Sequence, residues 1–363
     1  MRIGLLIYGD LNTVSGGYLY NRKLVSYLRE QGEQVQIISL PQRRYWQQLG
    51  DNFSQFCLAQ ISAADIDILI QDAMVHPSVF MLNQRLSKQL KIPLIALIHL
   101  LTSFDHHPWF SVWFYRSIER HYLKSVAGII VNSQTTKAQA IELTNNHPPP
   151  LCLAVPAGDN FPCAQIEFDA INQRVLTPGP LHILLVGNVI QRKGLHVLLQ
   201  ALRQLPTENF QLTVAGRLDM EPDYVKRIET LIHDSQLQKQ VLLKGPVQGQ
   251  ALANLYLQHH IMVLPSAYES YGIVYVEAQQ FGLPVIGTRA GAAKEIIKHG
   301  DNGYLIAVED WQALADHLQT LQNKRSLLLE LSQNSLAAYS RHPTWKNSCK
   351  TIREYLYARL DGD

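Results

Sequence analysis

Short runs of apolar residues recur through the first half of the chain: Ile3 to Ile7, Val35 to Leu40, Ile66 to Ile70, Leu94 to His99, Gly128 to Asn132 and Leu151 to Val155. Near-continuous apolarity, rather than strict alternation, marks strands buried on both faces of a parallel sheet. Between these runs apolar residues return at helical spacing, as in Leu19, Leu24 and Leu28, or Ile118, Tyr122 and Val126. The alternation predicts an α/β layer with a doubly wound parallel sheet.

From Pro156 to Pro180 the pattern breaks, and six prolines and glycines punctuate a mixed stretch. A linker is expected there, over 166–180, after a first domain of 1–165. A second series of strands follows at Leu181 to Val186, Phe210 to Ala215, Val241 to Lys244, Ile261 to Leu264, Pro284 to Ile286 and Tyr304 to Ile306. It alternates with helices again, which predicts a second doubly wound domain over 181–344. Pro343 interrupts the closing helical region, and the last helix, about 345–363, is expected to pack back on the first domain. Two cores suit a chain of 363 residues that is 47% apolar.

Composition narrows the function. A formal net charge of +2 gives no broad field to recruit nucleic acid, so any anion must be met locally. Cys57, Cys152, Cys163 and Cys349 are scattered without a Cys-x-x-Cys pair, which argues against a zinc site or a disulfide framework and fits a reducing cytoplasm. The first apolar run leads into Gly9 and Asp10 and reads as a strand, not a signal peptide. The longest apolar run, Ile92 to Leu101, is about half the roughly 20 residues of a spanning helix.

Three loops carry candidate chemistry. Gly9 to Gly17 ends in Gly16-Gly17 before a helix, where bare backbone can approach an anion or a sugar hydroxyl; a plain tight turn explains it equally well. Gly187-Asn188-Val189-Ile190-Gln191-Arg192-Lys193-Gly194 follows a strand and opens a helix, but no Lys-Ser or Lys-Thr closes it as a Walker A loop. Two cations beside a helix N-terminus suit a diphosphate, against the alternative of a solvated surface pair. The third runs from Val263 through Glu269 and Tyr271-Gly272-Ile273 to Glu277. Its helix is expected to begin near Gly272 and to carry Glu277 on an apolar surface. A carboxylate there needs donors, which ribose hydroxyls or a neighbouring Lys or backbone would supply. Tyr271, Gly272 and Ile273 offer the N–H groups of a helix start. His99, at a strand end, is either a satisfied core residue or a site residue. Asp65-Ile66-Asp67 reads as a solvated strand entry, and neither His106-His107 nor His259-His260 has ligands at metal spacing.

These motifs together resemble glycosyltransferase family 4, the group 1 retaining enzymes of the GT-B fold. The resemblance rests on Glu269 and Glu277 with seven residues between them, the preceding Pro265-Ser266, the following Gly282-x-Pro284, and Lys193-Gly194. It extends through Gly291, Glu295, Gly300 and Asn302-Gly303, and in the first half through Gly16-Gly17, His99 and Asn132-Ser133. It implies two Rossmann-like domains facing a central cleft. It also implies that Lys193 holds the diphosphate, Glu277 the ribose, and Glu269 with the amides of 271–273 the transferred sugar and phosphate. His99 would lie against the donor sugar, and Gly16-Gly17 would close over the phosphate. One departure stands out: many members have Gly-Arg where this chain has Gly187-Asn188, which leaves Arg192 as the candidate replacement cation.

The expected activity is therefore retaining transfer of a hexose-type sugar from a nucleotide diphosphate sugar to an acceptor hydroxyl. No cofactor or metal is expected beyond the donor co-substrate. The acceptor, a sugar, lipid or small molecule, is not identified. Aromatic and basic residues at Pro108 to Tyr115 and Arg43 to Trp46 suggest peripheral contact with the inner face of a membrane, with core packing as the alternative. An epimerase or phosphorylase on the same fold, or a non-catalytic sugar-nucleotide binding protein, are the competing readings. A nicotinamide oxidoreductase lacks its Gly-x-Gly-x-x-Gly with a later acid in either half.

Overall fold

The computed structural model describes residues 1–105, 109–161 and 166–361. They divide into two compact units, one of 1–156 with 343–363 and one of 157–342.

The first unit is built on a six-stranded parallel sheet: β1 (Arg2–Tyr8), β2 (Gln34–Leu40), β3 (Ile68–Asp72), β4 (Leu94–Ile98), β5 (Gly128–Val131) and β6 (Leu151–Leu153), in the order β2-β1-β3-β4-β5-β6. β3 and β4 are buried throughout, while edge strand β2 leaves Gln34, Gln36 and Ser39 exposed and fully buries only Ile38 and Leu40. That difference is the one expected between strands covered on both faces and strands at an edge. β3 lies two residues later than the apolar run predicts. Asp65 and Asp67 stay outside it, both bound to the Arg2 guanidinium. Gln71 and Asp72 enter it because their side chains find buried partners, Asn83 for Gln71 at 2.8 Å and Asn21 for Asp72 at 2.6 Å.

The final helix, Trp345–Leu360, belongs to this unit. Its Arg353 donates to Glu33 at 2.8 Å, its Ser348 to the Val155 carbonyl, and its Trp345 ring packs edge-on against Tyr20.

The second unit has its own six-stranded parallel sheet: β7 (Leu181–Val186), β8 (Phe210–Ala215), β9 (Val241–Gly245), β10 (Ile261–Leu264), β11 (Val285–Thr288) and β12 (Gly303–Ile306). The order is β12-β11-β10-β7-β8-β9. Read from the other edge this is the 3-2-1-4-5-6 arrangement of a doubly wound sheet. The segment 166–180 is not the plain linker its prolines and glycines suggest. It holds the helix Phe168–Leu176, whose Ile171 and Val175 are fully buried in this unit and whose Arg174 binds the carbonyls of Phe281 and Gly282 at 3.0 and 3.1 Å.

Candidate active site

In a doubly wound sheet, ligands bind beyond the C-terminal strand ends where the winding reverses. In the second unit that switch point lies between β7 and β10, neighbours in space though β8 and β9 separate them in sequence. The loop leaving β7 and the loop leaving β10 meet there in backbone contact. Gly194 has φ +71°, and a Cβ on it would lie 2.1 Å from the Pro265 carbonyl oxygen, so only glycine fits. The Ala267 N–H donates to the Arg192 carbonyl at 2.8 Å, and the Arg192 Nη1 donates to the Tyr268 carbonyl at 2.8 Å. Arg192 thus spends one donor on stitching the two loops.

That contact brings the Lys193 Nζ onto the Glu269 Oε1, and the Ser266 Oγ donates to the same oxygen at 2.7 Å. From the other side the Glu269 carbonyl accepts from the Ala292 N–H at 2.8 Å, against a Gly291 whose Cβ would lie 2.0 Å from it. Burial alone would raise the Glu269 pKa, but the Lys193 and Arg192 charges and the bonds from Lys193 and Ser266 outweigh it, and the net shift is downward. Glu269 is a carboxylate at neutral pH.

The helix Ile273–Gln280 starts at Gly272, whose φ of +97° turns the chain into it. None of the backbone N–H groups of Tyr271, Gly272 and Ile273 has an acceptor among the described residues. The Tyr271 hydroxyl bonds the His342 Nε2. Glu277, on the buried side of the helix, accepts from the Asn160 Nδ2 at 2.6 Å and the Tyr256 hydroxyl at 3.0 Å. Its carboxylate therefore has protein donors of its own. At the other loop, the Asn188 Oδ1 accepts from the Arg217 N–H at 3.3 Å, while the Arg217 guanidinium is bound to Asp219 at 2.9 and 2.8 Å.

The switch point of the first unit lies between β1 and β3. Beyond β1, Ser15 caps the helix Gly16–Glu30 by accepting from the Tyr18 N–H at 3.4 Å. A Cβ on Gly17 would come within 3.3 Å of the His99 ring, so the glycine lets the imidazole lie against the helix start. The His99 carbonyl accepts from the Asn132 Nδ2 at 2.9 Å, and Ser133 caps the next helix, which gives the Asn132-Ser133 pair a structural role. The His99 Nε2 meets the Asn21 Oδ1 at 3.0 Å and lies 3.7 Å from the Asp72 Oδ2.

The expected residues divide between the units, with Gly16, Gly17 and His99 in the first and Asn188, Arg192, Lys193, Glu269, Tyr271, Gly272, Ile273 and Glu277 in the second; the contacts described join Gly17 to His99, and Arg192 and Lys193 to the loop of Glu269. Sequence reasoning gave no role to Asn21, Asp72, Tyr256, Asn160 or Ser266. Asp72 had a signal, a carboxylate two residues beyond the apolar run Ile66 to Ile70; Tyr256 and Asn160 had none, because only the fold brings them to Glu277.

Among the described residues no group of three or more His, Cys, Asp and Glu side chains could hold a metal. The imidazoles of His259 and His260 bond backbone groups instead. His106, His107, Pro108 and Cys163 lie outside the described residues. A cavity of about 360 Å³ lined by Arg174, His182 and His260 sits at the N-terminal ends of β7 and β10, away from the loops above. Its arginine is accounted for as a cap on the C-terminal carbonyls of two helices.

The first unit also exposes aromatic surface. Trp46 and Trp113 are 66% and 76% exposed, and Trp46 lies 5.0 Å from the Phe114 ring. No described helix is long and apolar enough to cross a membrane.

Residues 168–337 match the family described as "Glycosyl transferases group 1". The chain is 33% identical over 192 residues to a D-inositol 3-phosphate glycosyltransferase of Xylanimonas cellulosilytica, a match covering 52% of this chain and 45% of that protein. It spans about half the length of such relatives. Among solved structures it is similar to sucrose-phosphate synthase of Thermosynechococcus elongatus, with a TM-score of 0.83, 19% identity and 100% of both chains covered. It is also similar to Anabaena Alr3699/HepE in complex with UDP and glucose, with a TM-score of 0.77, 20% identity, and 99% of this chain and 100% of that one covered. These likenesses show the GT-B fold.

Proposed function

We propose that the chain is a group 1 glycosyl transferase, the family that its residues 168–337 match, and that it transfers a hexose-type sugar from a nucleotide diphosphate sugar to an acceptor hydroxyl with retention. The observation that carries this reading is the juxtaposition, at the switch point of the second sheet, of Lys193, Glu269 and the N–H groups of 271–273, which have no acceptor among the described residues. Cation and helix start together suit a diphosphate, because the fixed charge and the oriented amides act in the same sense. The crystallised complex of Anabaena Alr3699/HepE with UDP and glucose supports a donor of this class.

In the proposed reaction the bond between the sugar C1 and the diphosphate oxygen breaks, and its electron pair stays on the diphosphate. Lys193 and the amides stabilise that growing charge more than they stabilise the ground state. The acceptor oxygen bonds C1 from the same face, and its proton passes to a phosphate oxygen. No protein nucleophile and no metal is required. Glu277 would take ribose hydroxyls as further donors beside Asn160 and Tyr256, and Glu269 would take hydroxyls of the transferred sugar. Gly16 and Gly17 would approach the phosphate, and His99 the sugar.

The acceptor is proposed to reach the first unit, whose exposed Trp46 and Trp113 suit a membrane interface. The expected setting is cytoplasmic, at or near the inner face of a membrane.

Thermal shift against UDP, GDP, ADP and their sugars tests the reading. A matching ligand at a hundred times its dissociation constant stabilises by about 2.7 kcal/mol. No shift with any of them, or binding without transfer to any acceptor, would count against it.

A further inference from the structure

We propose that Asp72 and Asn21 are positioning residues that hold His99 as a neutral imidazole protonated on Nε2, leaving Nδ1 to accept a hydrogen bond from a sugar hydroxyl. The hydroxyl rests on the function proposed above; the relay does not.

The argument begins at the acid. Asp72 closes β3 with its side chain buried, and an ionised carboxylate can only accept hydrogen bonds. Its Oδ1 accepts from the Met74 N–H at 2.9 Å, and its Oδ2 accepts from Asn21 at 2.6 Å. The group that Asn21 turns to Asp72 must therefore be its NH₂. Asn21 is fully buried on the helix Gly16–Glu30, so its other end, Oδ1, is committed to the opposite direction. There, at 3.0 Å, lies the His99 Nε2. A carbonyl oxygen cannot donate, so Nε2 must carry the proton. Each bond in the series Asp72, Asn21, His99 is thus fixed in direction by the chemistry of the one before it, and reversing any one would set two acceptors or two donors face to face.

Two further observations fix the ring. The contacts with Gly17 fall on Cδ2, Cγ and Cβ, the edge of the imidazole that also carries Nε2, so that edge lies against the helix start. Tyr20 meets the ring edge-on at 5.0 Å. Nδ1 is on the other edge and has no partner among the described residues. Burial favours the neutral form, and the Asp72 charge opposes it only in part. A neutral imidazole with Nε2–H presents an acceptor at Nδ1. A dianionic diphosphate has no proton to give it, so the complementary group on a nucleotide sugar or an acceptor is a hydroxyl.

The test is the nitrogen NMR spectrum of the histidines in the ligand-free full chain at neutral pH, with His99 assigned by its loss in His99→Gln. The expected result is an unprotonated Nδ1 and a protonated Nε2. Asp72→Asn is isosteric but frees Asn21 to turn either way, so His99 should become a mixture of tautomers while the melting temperature stays near that of the wild type. On whichever donor the protein uses, kcat should fall roughly tenfold, the worth of one oriented hydrogen bond, with KM little changed. A wild-type His99 protonated on Nδ1, or a tautomer unchanged in Asp72→Asn, overturns the proposal. Should Asp72→Asn not fold, the wild-type spectrum alone decides the proton's position. Absence of transfer from every nucleotide sugar with the spectrum as expected strikes the function proposed above and leaves the relay standing.

Discussion

The Lys193 ammonium and the Glu269 carboxylate, 76 residues apart in the chain, meet at the switch point of the second sheet, and Ser266 donates to the oxygen they share. Both side chains are largely buried. In the ligand-free protein each is therefore the other's counter-charge, and neither can be removed without leaving the other buried and unpaired.

Lys193→Ala should accordingly have two separable effects. Loss of the cation beside the leaving diphosphate should lower kcat on the order of 100-fold or more, by analogy with removal of one oxyanion donor. Stranding Glu269 should also lower the melting temperature. Adding Glu269→Gln removes the stranded charge, so the double variant should regain melting temperature and not kcat. An alanine variant with normal kcat and raised KM would show that Lys193 only binds.

How much of this was legible beforehand follows from what each feature depends on. The strands Leu181–Val186, Phe210–Ala215 and Ile261–Leu264 sit where their apolar runs place them, because most of their positions are buried and apolar. The pairing of Lys193 with Glu269 was not legible, since it arises from Gly194 against Pro265, a contact across the switch point. The helix Phe168–Leu176 was hidden for a local reason. Gly158, Pro162, Pro178, Gly179 and Pro180 flank its nine residues on both sides and mask the buried Ile171 and Val175. Asn21 reads as an ordinary polar residue in a helix until β3 brings Asp72 beside it.

Metal independence follows from the same site. If Lys193 and the amides of 271–273 carry the leaving charge, turnover in excess chelator should match turnover with magnesium or manganese. Activity lost in chelator and regained with either ion would contradict the mechanism at its central step.

Acid should weaken the second unit through two histidines held neutral. Burial, only partly opposed by bonds to backbone carbonyls, takes His259 down to about 4 and His260 to about 3. In the unfolded chain both would titrate near 6.5. Above that pH neither state is protonated and their full contribution is present. As pH falls from 6.5 toward 4, the unfolded chain takes up protons the folded one refuses, so stability drops. In the first unit Glu119, raised to about 7 by burial, works in the opposite sense to His76, lowered to about 4. His260→Gln should therefore flatten the fall in melting temperature over that window, though it lowers the value at neutral pH. An unchanged slope would show that His260 is not the group titrating.

Membrane contact can be checked on two exposed rings. If Trp46 and Trp113 insert at an interface, replacing both by Ser should abolish co-sedimentation with vesicles containing anionic lipid and leave nucleotide affinity unchanged. Wild-type protein that does not sediment with such vesicles, together with good turnover on a wholly soluble acceptor, would remove the idea.

Asn188→Arg should tighten the nucleotide. Position 188 follows Gly187 at the C-terminal end of β7, where the family resemblance expects a second cation facing the phosphates. The nearby cations do not supply one outright: Arg192 spends a donor on the Tyr268 carbonyl, and Arg217 is paired with Asp219. The Asn188 side chain makes one long bond, 3.3 Å to the Arg217 N–H, so its replacement sacrifices little. An arginine there that reaches a phosphate oxygen would add a charge-assisted bond of roughly 1.5 to 3 kcal/mol at best. The side chain is half-buried, so solvent screening would reduce that gain. Calorimetric titration of the nucleoside diphosphate that binds decides the matter. A gain that shrinks with added salt supports a phosphate contact. Equal or weaker affinity would mean that the loop turns position 188 away from the phosphates and that the geometry carried over from the family does not hold in this loop.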